Sequence, residues 1–260
     1  MTIEFYKYHG TGNDFILIND LSPVFPADNV ELIRHLCERR FGIGADGLIL
    51  IRKHPDMDFQ MVYFNSDGKE GTMCGNGGRC AVAFAFRMGL CGESTTFMAV
   101  DGTHIAKVTG GDRIQLKMQS VKSIRIQPDH YELNTGSPHY VSFVDKVKEV
   151  DVYRQGQKIR MSNAFRAEGI NVNFVEYGQD RLFVRTYERG VENETLSCGT
   201  GVVAAALCAS LRDSSEQSEY QVCTRGGDLA VSFRKEDDNN YKNIILDGPA
   251  EFVFQGSIEA

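Results

Sequence analysis

Two of the seven cysteines stand where acid–base chemistry is possible. Cys74 is followed by Gly75-Asn76-Gly77 and Cys198 by Gly199-Thr200-Gly201, and each run opens a segment of helical spacing. A helix N-terminus presents unpaired N–H groups, which favour an anion and lower the pKa of a thiol placed there. Glycine at these points lets backbone approach a bound molecule closely. Inverting a stereocentre by proton transfer needs a base on one face of the carbon and an acid on the other. Two thiols in matching positions of mirrored halves would supply that pair. The two helix starts would stabilise the charge that grows on an adjoining carboxylate. No pyridoxal-lysine context accompanies them, so no cofactor is expected and the protein itself must do the electronic work. Cys37, Cys80, Cys91, Cys208 and Cys223 lie in or beside apolar patterns and read as inert, buried hydrophobes. Zinc is the rival use of cysteine, but no close Cys-x-x-Cys pair occurs, and no metal site is expected.

The elements that must carry these thiols form two similar series. Strands are expected at Ile3–Tyr8, Phe15–Ile18, Leu48–Ile51 and Met61–Phe64, with helical spacing over Asp28–Arg40. The glycines after Cys74 lead to a helix at Arg79–Met88, and alternating segments follow at His104–Val108 and Arg113–Met118. The second series has strands at Tyr140–Val144, Asn171–Glu176 and Leu182–Tyr187, an Ala-rich helix Val202–Leu211, and a meander at Asp228–Phe233 and Asn243–Leu246. In both, a strand ends, a polar turn intervenes and Cys-Gly-x-Gly begins a helix. A single approximate repeat of this size points to two domains around a cleft, because solenoids need at least about three units. The division is expected in Ser120–Glu132, giving halves 1–122 and 123–260, with the last strand able to pack back on the first half.

Composition sets the outer limits. A hydrophobic content of 42% and a charged content of 24% are ordinary for a soluble globular chain. A net charge of −7 argues against a nucleic-acid surface. No apolar run approaches the ~18 residues of a membrane span, and no charged-then-apolar leader opens the chain. An odd number of cysteines without a secretion signal reads as reduced thiols in the cytoplasm. Gly42-Ile43-Gly44-Ala45-Asp46-Gly47 matches G-x-G-x-x-G literally, but it follows a helix and precedes a strand, the reverse of a dinucleotide site. Those glycines read as a turn beneath the site. The acidic run Glu236–Asn240 reads as a hairpin tip.

The run His9-Gly10-Thr11-Gly12-Asn13-Asp14-Phe15 resembles the opening signature of diaminopimelate epimerases. So do Phe64-Asn65-Ser66-Asp67-Gly68 with Met73-Cys74-Gly75-Asn76-Gly77-Gly78-Arg79-Cys80, Ser137-Pro138-His139, Asn171-Val172-Asn173-Phe174, and Tyr187-Glu188-Arg189-Gly190 through Cys198-Gly199-Thr200-Gly201. The resemblance covers essentially the whole chain. It implies an α+β fold of two pseudo-symmetric domains, each a β-barrel-like sheet around a central helix. It implies interconversion of LL- and meso-2,6-diaminopimelate, in lysine and peptidoglycan precursor synthesis, by a small-molecule enzyme that is a homodimer. Cys74 and Cys198 would be the proton donor and acceptor. The backbone at Gly75-Asn76 and Gly199-Thr200 would hold the reacting carboxylate. Asn13, Asn65, Asn171, Glu188 and Arg189 would bind the substrate, several of them at its far end. Arg189 can grip a carboxylate in bidentate fashion and Glu188 can accept from an ammonium.

The chain departs from the family pattern in two places. Many members have Asn, which helps hold the distal carboxylate, where this chain has Ser137; serine could replace one hydrogen bond but not an amide's reach. Some members have Gln at the position of Gly47, which removes another contact. His139 is read as either structural or orienting a thiol. A proline-racemase-like enzyme would also use a cysteine pair but needs no distal charge reader, which Glu188 and Arg189 argue against. A phenazine-biosynthesis-type isomerase generally lacks the thiol pair. A non-catalytic amino-acid-binding protein would leave the α-proton in place.

Overall fold

Alternation of apolar and polar residues builds most of the chain as strands, and a few apolar or capped segments become helices. The computed structural model describes residues 1–213, 217–237 and 239–259. It contains, in order, β1 (Thr2–Gly10), β2 (Asn13–Asn19), α1 (Val30–Cys37), β3 (Gly47–Arg52), β4 (Phe59–Asn65), α2 (Gly75–Arg87), β5 (Ser94–Ala99), β6 (Gly102–Gly110) and β7 (Arg113–Lys117). There follow β8 (Ile124–Ile126), β9 (Tyr131–Asn134), β10 (Pro138–Phe143), α3 (Val152–Arg160), β11 (Asn171–Tyr177), β12 (Leu182–Glu188) and β13 (Asn193–Thr195). The chain ends in α4 (Gly199–Arg212), β14 (Glu219–Thr224), β15 (Gly227–Asp237), β16 (Asn240–Pro249) and β17 (Glu251–Glu259). No helix among the described residues is long and apolar enough to cross a membrane.

Two compact units divide the chain, Met1–Leu116 with Gly248–Ala260, and Lys117–Asp247. The first unit ends at Leu116, ahead of the expected division at 122/123, and also takes in the last strand. Met118 N–H bonds to Ile244 and Val121 pairs with Tyr241, so the segment after β7 already belongs to the second unit. The final strand β17 pairs antiparallel with β1, from Thr2↔Glu259 to His9↔Glu251, and completes the first.

In the first unit the pairs run β17–β1 and β1–β2 antiparallel, β2–β3 parallel, β3–β4 antiparallel, β4–β5 parallel, then β5–β6 and β6–β7 antiparallel. In the second, β8–β9 and β9–β10 are antiparallel, β10–β11 parallel, β11–β12 antiparallel, β12–β14 parallel, then β14–β15 and β15–β16 antiparallel. The senses match step for step. Parallel neighbours need a crossover, and each unit supplies two: α1 and α2 in the first, α3 and α4 in the second. Of these, α3 carries only Val152 and Gly156 as buried residues, which is why no apolar stripe announced it; Asp151 caps it by accepting from Arg154 N–H.

Each unit wraps its sheet around one helix. In α2 the buried residues run Gly75 to Val82, then Phe84 and Ala85; in α4 they are Gly199 and every position from Gly201 to Ser210. Small side chains on all sides let strands close in around a helix, and a helix covered all round shows little amphipathicity. The same enclosure explains why both helices begin at the glycine after the cysteine, before the expected Arg79 and Val202. Low glycine propensity reads as loop, and tertiary packing overrides it. By contrast α1 stops at Cys37, short of Arg40, because Glu38 is extended and Arg40 sits at φ +84°. The acidic run at 236–240 lies where β15 turns into β16, with Asp237 opposite Asn240; residue 238 is outside the described residues.

Candidate functional site

Within the first unit the polar residues gather at the N-terminal end of α2. Cys74 is the N-cap residue, half-buried and extended at φ −107°, and its side chain makes no capping bond to its own helix. The sulfur faces Asn13 Oδ1 at 3.6 Å. Asn76, buried in the first turn, donates from Nδ2 to the same oxygen at 3.2 Å. Asn13 sits just after a tight turn in which Thr11 (φ 51°) and Gly12 (φ 84°) are left-handed, and it donates from Nδ2 to Asp46 Oδ2 at 2.7 Å.

Behind Asn13 lies an ionic cluster. Arg39 bonds both Asp14 (2.6 Å) and Asp46 (2.9 Å), and the buried Lys7 meets Asp14 at 2.7 Å. Burial alone would raise the Asp14 carboxyl, but hydrogen bonds from Arg39 and Lys7 outweigh it and hold it at about 2. Lys7 also donates to the Gly44 carbonyl, so the glycine-rich segment 42–47 is a turn that anchors Asp46. Gly47 leaves no room for a side chain: a Cβ there would lie 2.5 Å from the Tyr63 ring and 2.6 Å from the Phe64 carbonyl oxygen.

The second unit repeats the construction with different side chains. Cys198 is the N-cap of α4, extended at φ −121°, again without a capping bond, and its sulfur lies 3.5 Å from Thr200 Oγ1. Thr135 Oγ1 donates to the Thr200 carbonyl at 2.9 Å, which fixes the helix start. Gly201 packs on Asn173, where a Cβ would stand 2.3 Å from Oδ1. Asn173 is fully buried; it donates to the Tyr140 carbonyl and His139 Nδ1, and accepts from Thr186 Oγ1. Gly201→Ala must push this network or the helix aside. We expect roughly 1–3 kcal/mol of lost stability, read as a lower Tm, as for other overpacked sites; an unchanged Tm would contradict the packing.

His139 is enclosed and uncharged. Burial, reinforced by the charge of Arg189, pushes it down to about 3. Because Nδ1 accepts from Asn173, the ring proton sits on Nε2, which has no hydrogen-bond partner among the described residues.

Asn171 and Arg189 of the second unit, expected at the far end of a substrate, are joined through Ser137. Its hydroxyl accepts from Asn171 Nδ2 at 3.0 Å and from Arg189 Nη2 at 3.4 Å. Arg189 also donates from Nη1 to the Glu168 carbonyl and from its backbone N–H to Asn171 Oδ1 at 2.8 Å. Its stem lies across Gly169 (φ +77°), where a Cβ would be 2.5 Å from Cδ. Glu188 ends β12, half-buried, and the exposed Asn65 ends β4.

Strand register shows which positions correspond. Phe15 pairs with Gly47 and Gly47 with Asn65; His139 pairs with Asn171, and Val172 with Tyr187, which puts Asn171 opposite Glu188. Asn13, Gly47, Asn65, Cys74 and Asn76 of the first unit thus occupy the places of Ser137, Asn171, Glu188, Cys198 and Thr200 in the second. The structure brings together Cys74, Asn13, Asn76 and Gly75 in one unit, and Asn171 and Arg189, and Cys198, Gly199 and Thr200, in the other. Two residues of this setting were not singled out by sequence reasoning, Asp46 and Arg79. Arg79 is wholly buried and donates to Asn76 Oδ1, Gly75 O and Pro249 O. Its signal was a lone charge in an apolar helix, at the position that holds Val203 in α4.

The other cysteines are chemically quiet. Burial pushes Cys37 up to about 12 and also raises Cys80 and Cys208. Cys91 and Cys223 are only half-buried, against the expectation of full burial, and are raised for the same reason. Among the described residues no His, Cys, Asp and Glu cluster could hold a metal ion.

The diaminopimelate epimerase family profile matches residues 5–123 and 131–253. A diaminopimelate epimerase of Flavobacterium psychrophilum is 49% identical over 98% of this chain and 100% of its own length. One from Chlorobaculum tepidum is 42% identical over 96% of this chain and 98% of its own. Among solved structures, a PhzF-family phenazine biosynthesis protein of Bacillus anthracis superposes with a TM-score of 0.78 at 13% identity, covering 100% of both chains, which is likeness of fold.

Proposed function

Because the chain belongs to the diaminopimelate epimerase family, we propose that it interconverts LL- and meso-2,6-diaminopimelate, with Cys74 and Cys198 as the acid and base at one α-carbon. The observation that carries this reading is the repeated construction of the two thiols. In frames of identical strand order, each cysteine precedes a glycine-rich first turn of an enclosed helix, yet its side chain makes no capping bond. A structural N-cap would be Ser, Thr, Asp or Asn bonded to the helix N–H groups. At both helix starts a cysteine stands in the place of such a cap.

The remaining roles follow from the chemistry. The N–H groups at Gly75-Asn76 and Gly199-Thr200 take the reacting carboxylate, where they meet the charge that develops on loss of the α-proton. Asn13, Asn65 and Asn171 orient the substrate. Arg189 and Glu188 read the carboxylate and ammonium of the distal end. The protein works without a cofactor, as a homodimer in the cytoplasm, where thiols stay reduced.

Isotope exchange tests the proposal. In heavy water, LL-diaminopimelate incubated with the protein should give meso product carrying α-deuterium while recovered substrate stays largely protiated at early times. Equal labelling of both would indicate a single base and remove the two-thiol assignment. No exchange at all would leave a binding protein.

A further inference from the structure

The turn that follows β12 and carries Arg189 is tied down by the side chain of Glu192. β12 and β13 pair with Glu188 opposite Asn193, so residues 189–192 make the turn. Gly190 (φ 90°) and Glu192 (φ 54°) are both left-handed, and the Glu192 N–H closes the turn on the Glu188 carbonyl at 2.8 Å. Glycine adopts that conformation freely, whereas a residue with a Cβ does so at a cost. What glutamate adds at this position is a carboxylate on which three donors converge. The Gly190 N–H reaches Oε1 at 3.2 Å, and the Tyr187 hydroxyl on β12 reaches Oε2 at 3.2 Å. Arg160, the last residue of α3, pairs with Oε1 through Nη2 at 3.2 Å.

Arg160 grips a second segment with its other nitrogen. Largely buried, it donates from Nη1 to the Arg166 carbonyl at 3.3 Å and to that of Phe165 at 3.5 Å. The Phe165 carbonyl also takes the Gly169 N–H at 2.7 Å, so the chain between α3 and β11 is folded against the Arg160 head. That chain presents the Glu168 carbonyl, which takes Arg189 Nη1 at 3.0 Å. Asn171 holds only the main-chain N–H of Arg189, and the Ser137 contact to the guanidinium is longer, at 3.4 Å. The direction of the guanidinium is thus set by where Glu168 stands relative to the turn, and the Arg160–Glu192 pair joins the two. Both arginines pass the bare backbone of Gly169, where a Cβ would lie 2.5 Å from Arg189 Cδ and 3.1 Å from Arg160 Cζ. The Glu192 carboxylate offsets one of these neighbouring like charges.

We infer that Arg160 and Glu192 are positioning residues for substrate specificity: their ion pair locks the turn that carries Arg189 to the segment that carries the Glu168 carbonyl, and so aims the Arg189 guanidinium. Both act through Arg189 rather than on the substrate. The inference rests on the distal-end role proposed for Arg189 and deepens it, because a guanidinium held in its gripping direction loses less freedom when it takes a carboxylate. Loosening it burdens two-headed substrates alone, since a one-headed amino acid presents no carboxylate at that end.

The test is a double-mutant cycle read by chiral chromatography and α-deuterium exchange. Arg160→Met keeps the stem and removes the guanidinium. It should lower kcat/KM for diaminopimelate about tenfold while any trace α-proton exchange of lysine stays within about twofold, so that selectivity falls. In an Arg189→Ala background the same substitution should cost less than about twofold, because no guanidinium is left to aim. A variant that only loosened the fold would slow lysine exchange equally and would slow the Arg189→Ala protein again. Either of those results, or a kcat/KM for Arg160→Met within about twofold of the native chain, would overturn the inference. Should Arg160→Met not fold, Glu192→Gln, which keeps the shape and loses the charge, must show the same pattern, and the same results would overturn it. Arg189→Ala separates the two readings. If it turns over diaminopimelate as well as the native chain does, the distal role falls and this inference with it. If it is impaired while Arg160→Met is not, only the inference falls.

Discussion

Cys74→Ala and Cys198→Ala are each expected to lower kcat for diaminopimelate inversion by about 10²–10⁴-fold, the usual range for a general acid or base. Both variants should stay folded. Neither sulfur caps its helix, so the first-turn N–H groups lose no partner that a good capping residue would have provided. The loss of a small, partly enclosed side chain should cost stability only modestly. Circular dichroism and Tm would establish that the fold persists, and chiral chromatography would read the inversion. A drop of less than about tenfold in either variant, with the fold intact, would be hard to reconcile with an acid–base role for that thiol.

Arg189→Ala should lower kcat/KM for diaminopimelate by on the order of 10²-fold or more, equivalent to the ~3 kcal/mol of a lost charge-assisted pair. It should scarcely change any trace activity toward alanine or lysine, which present no distal carboxylate. The structure sharpens this expectation. Arg189 is held on three sides, by Ser137 Oγ, the Glu168 carbonyl and the bare backbone of Gly169. A guanidinium fixed in place loses less freedom when it grips a carboxylate. Ser137, read from sequence as replacing one hydrogen bond but not an amide's reach, here joins Asn171 to Arg189. Should alanine or proline turn over as well as diaminopimelate, a racemase of simple amino acids would replace the substrate assignment while the two-thiol chemistry stood.

What could be read from the chain alone was whatever is local or periodic. The Cys-Gly-x-Gly blocks and the alternation of the main strands were visible in short windows, and comparing the windows showed the repeat. Family resemblance then supplied Asn13, Asn65, Asn171, Glu188 and Arg189 as a set. The limits of α2 and α4 were not visible, because glycine's local preference for loop is reversed only by strands that close around the helix. Nor was α3, whose buried face is Val152 and Gly156, the latter resting on Tyr187.

The residues behind the site were decided entirely by tertiary structure. Asp46 lies 33 positions from Asn13, and Asn13 lies 61 from Cys74, separations that no sequence window can join. Asp46 read as part of a glycine turn and Arg79 as the first residue of a helix. Only folding makes one an acceptor and the other a donor at opposite ends of one hydrogen-bonded chain. The same holds for β17, whose pairing with β1 brings the last strand to the first. Short-range chemistry is written in residue type and spacing. The orientation of the Asn13 amide depends on partners that the chain brings together only when the sheet has formed.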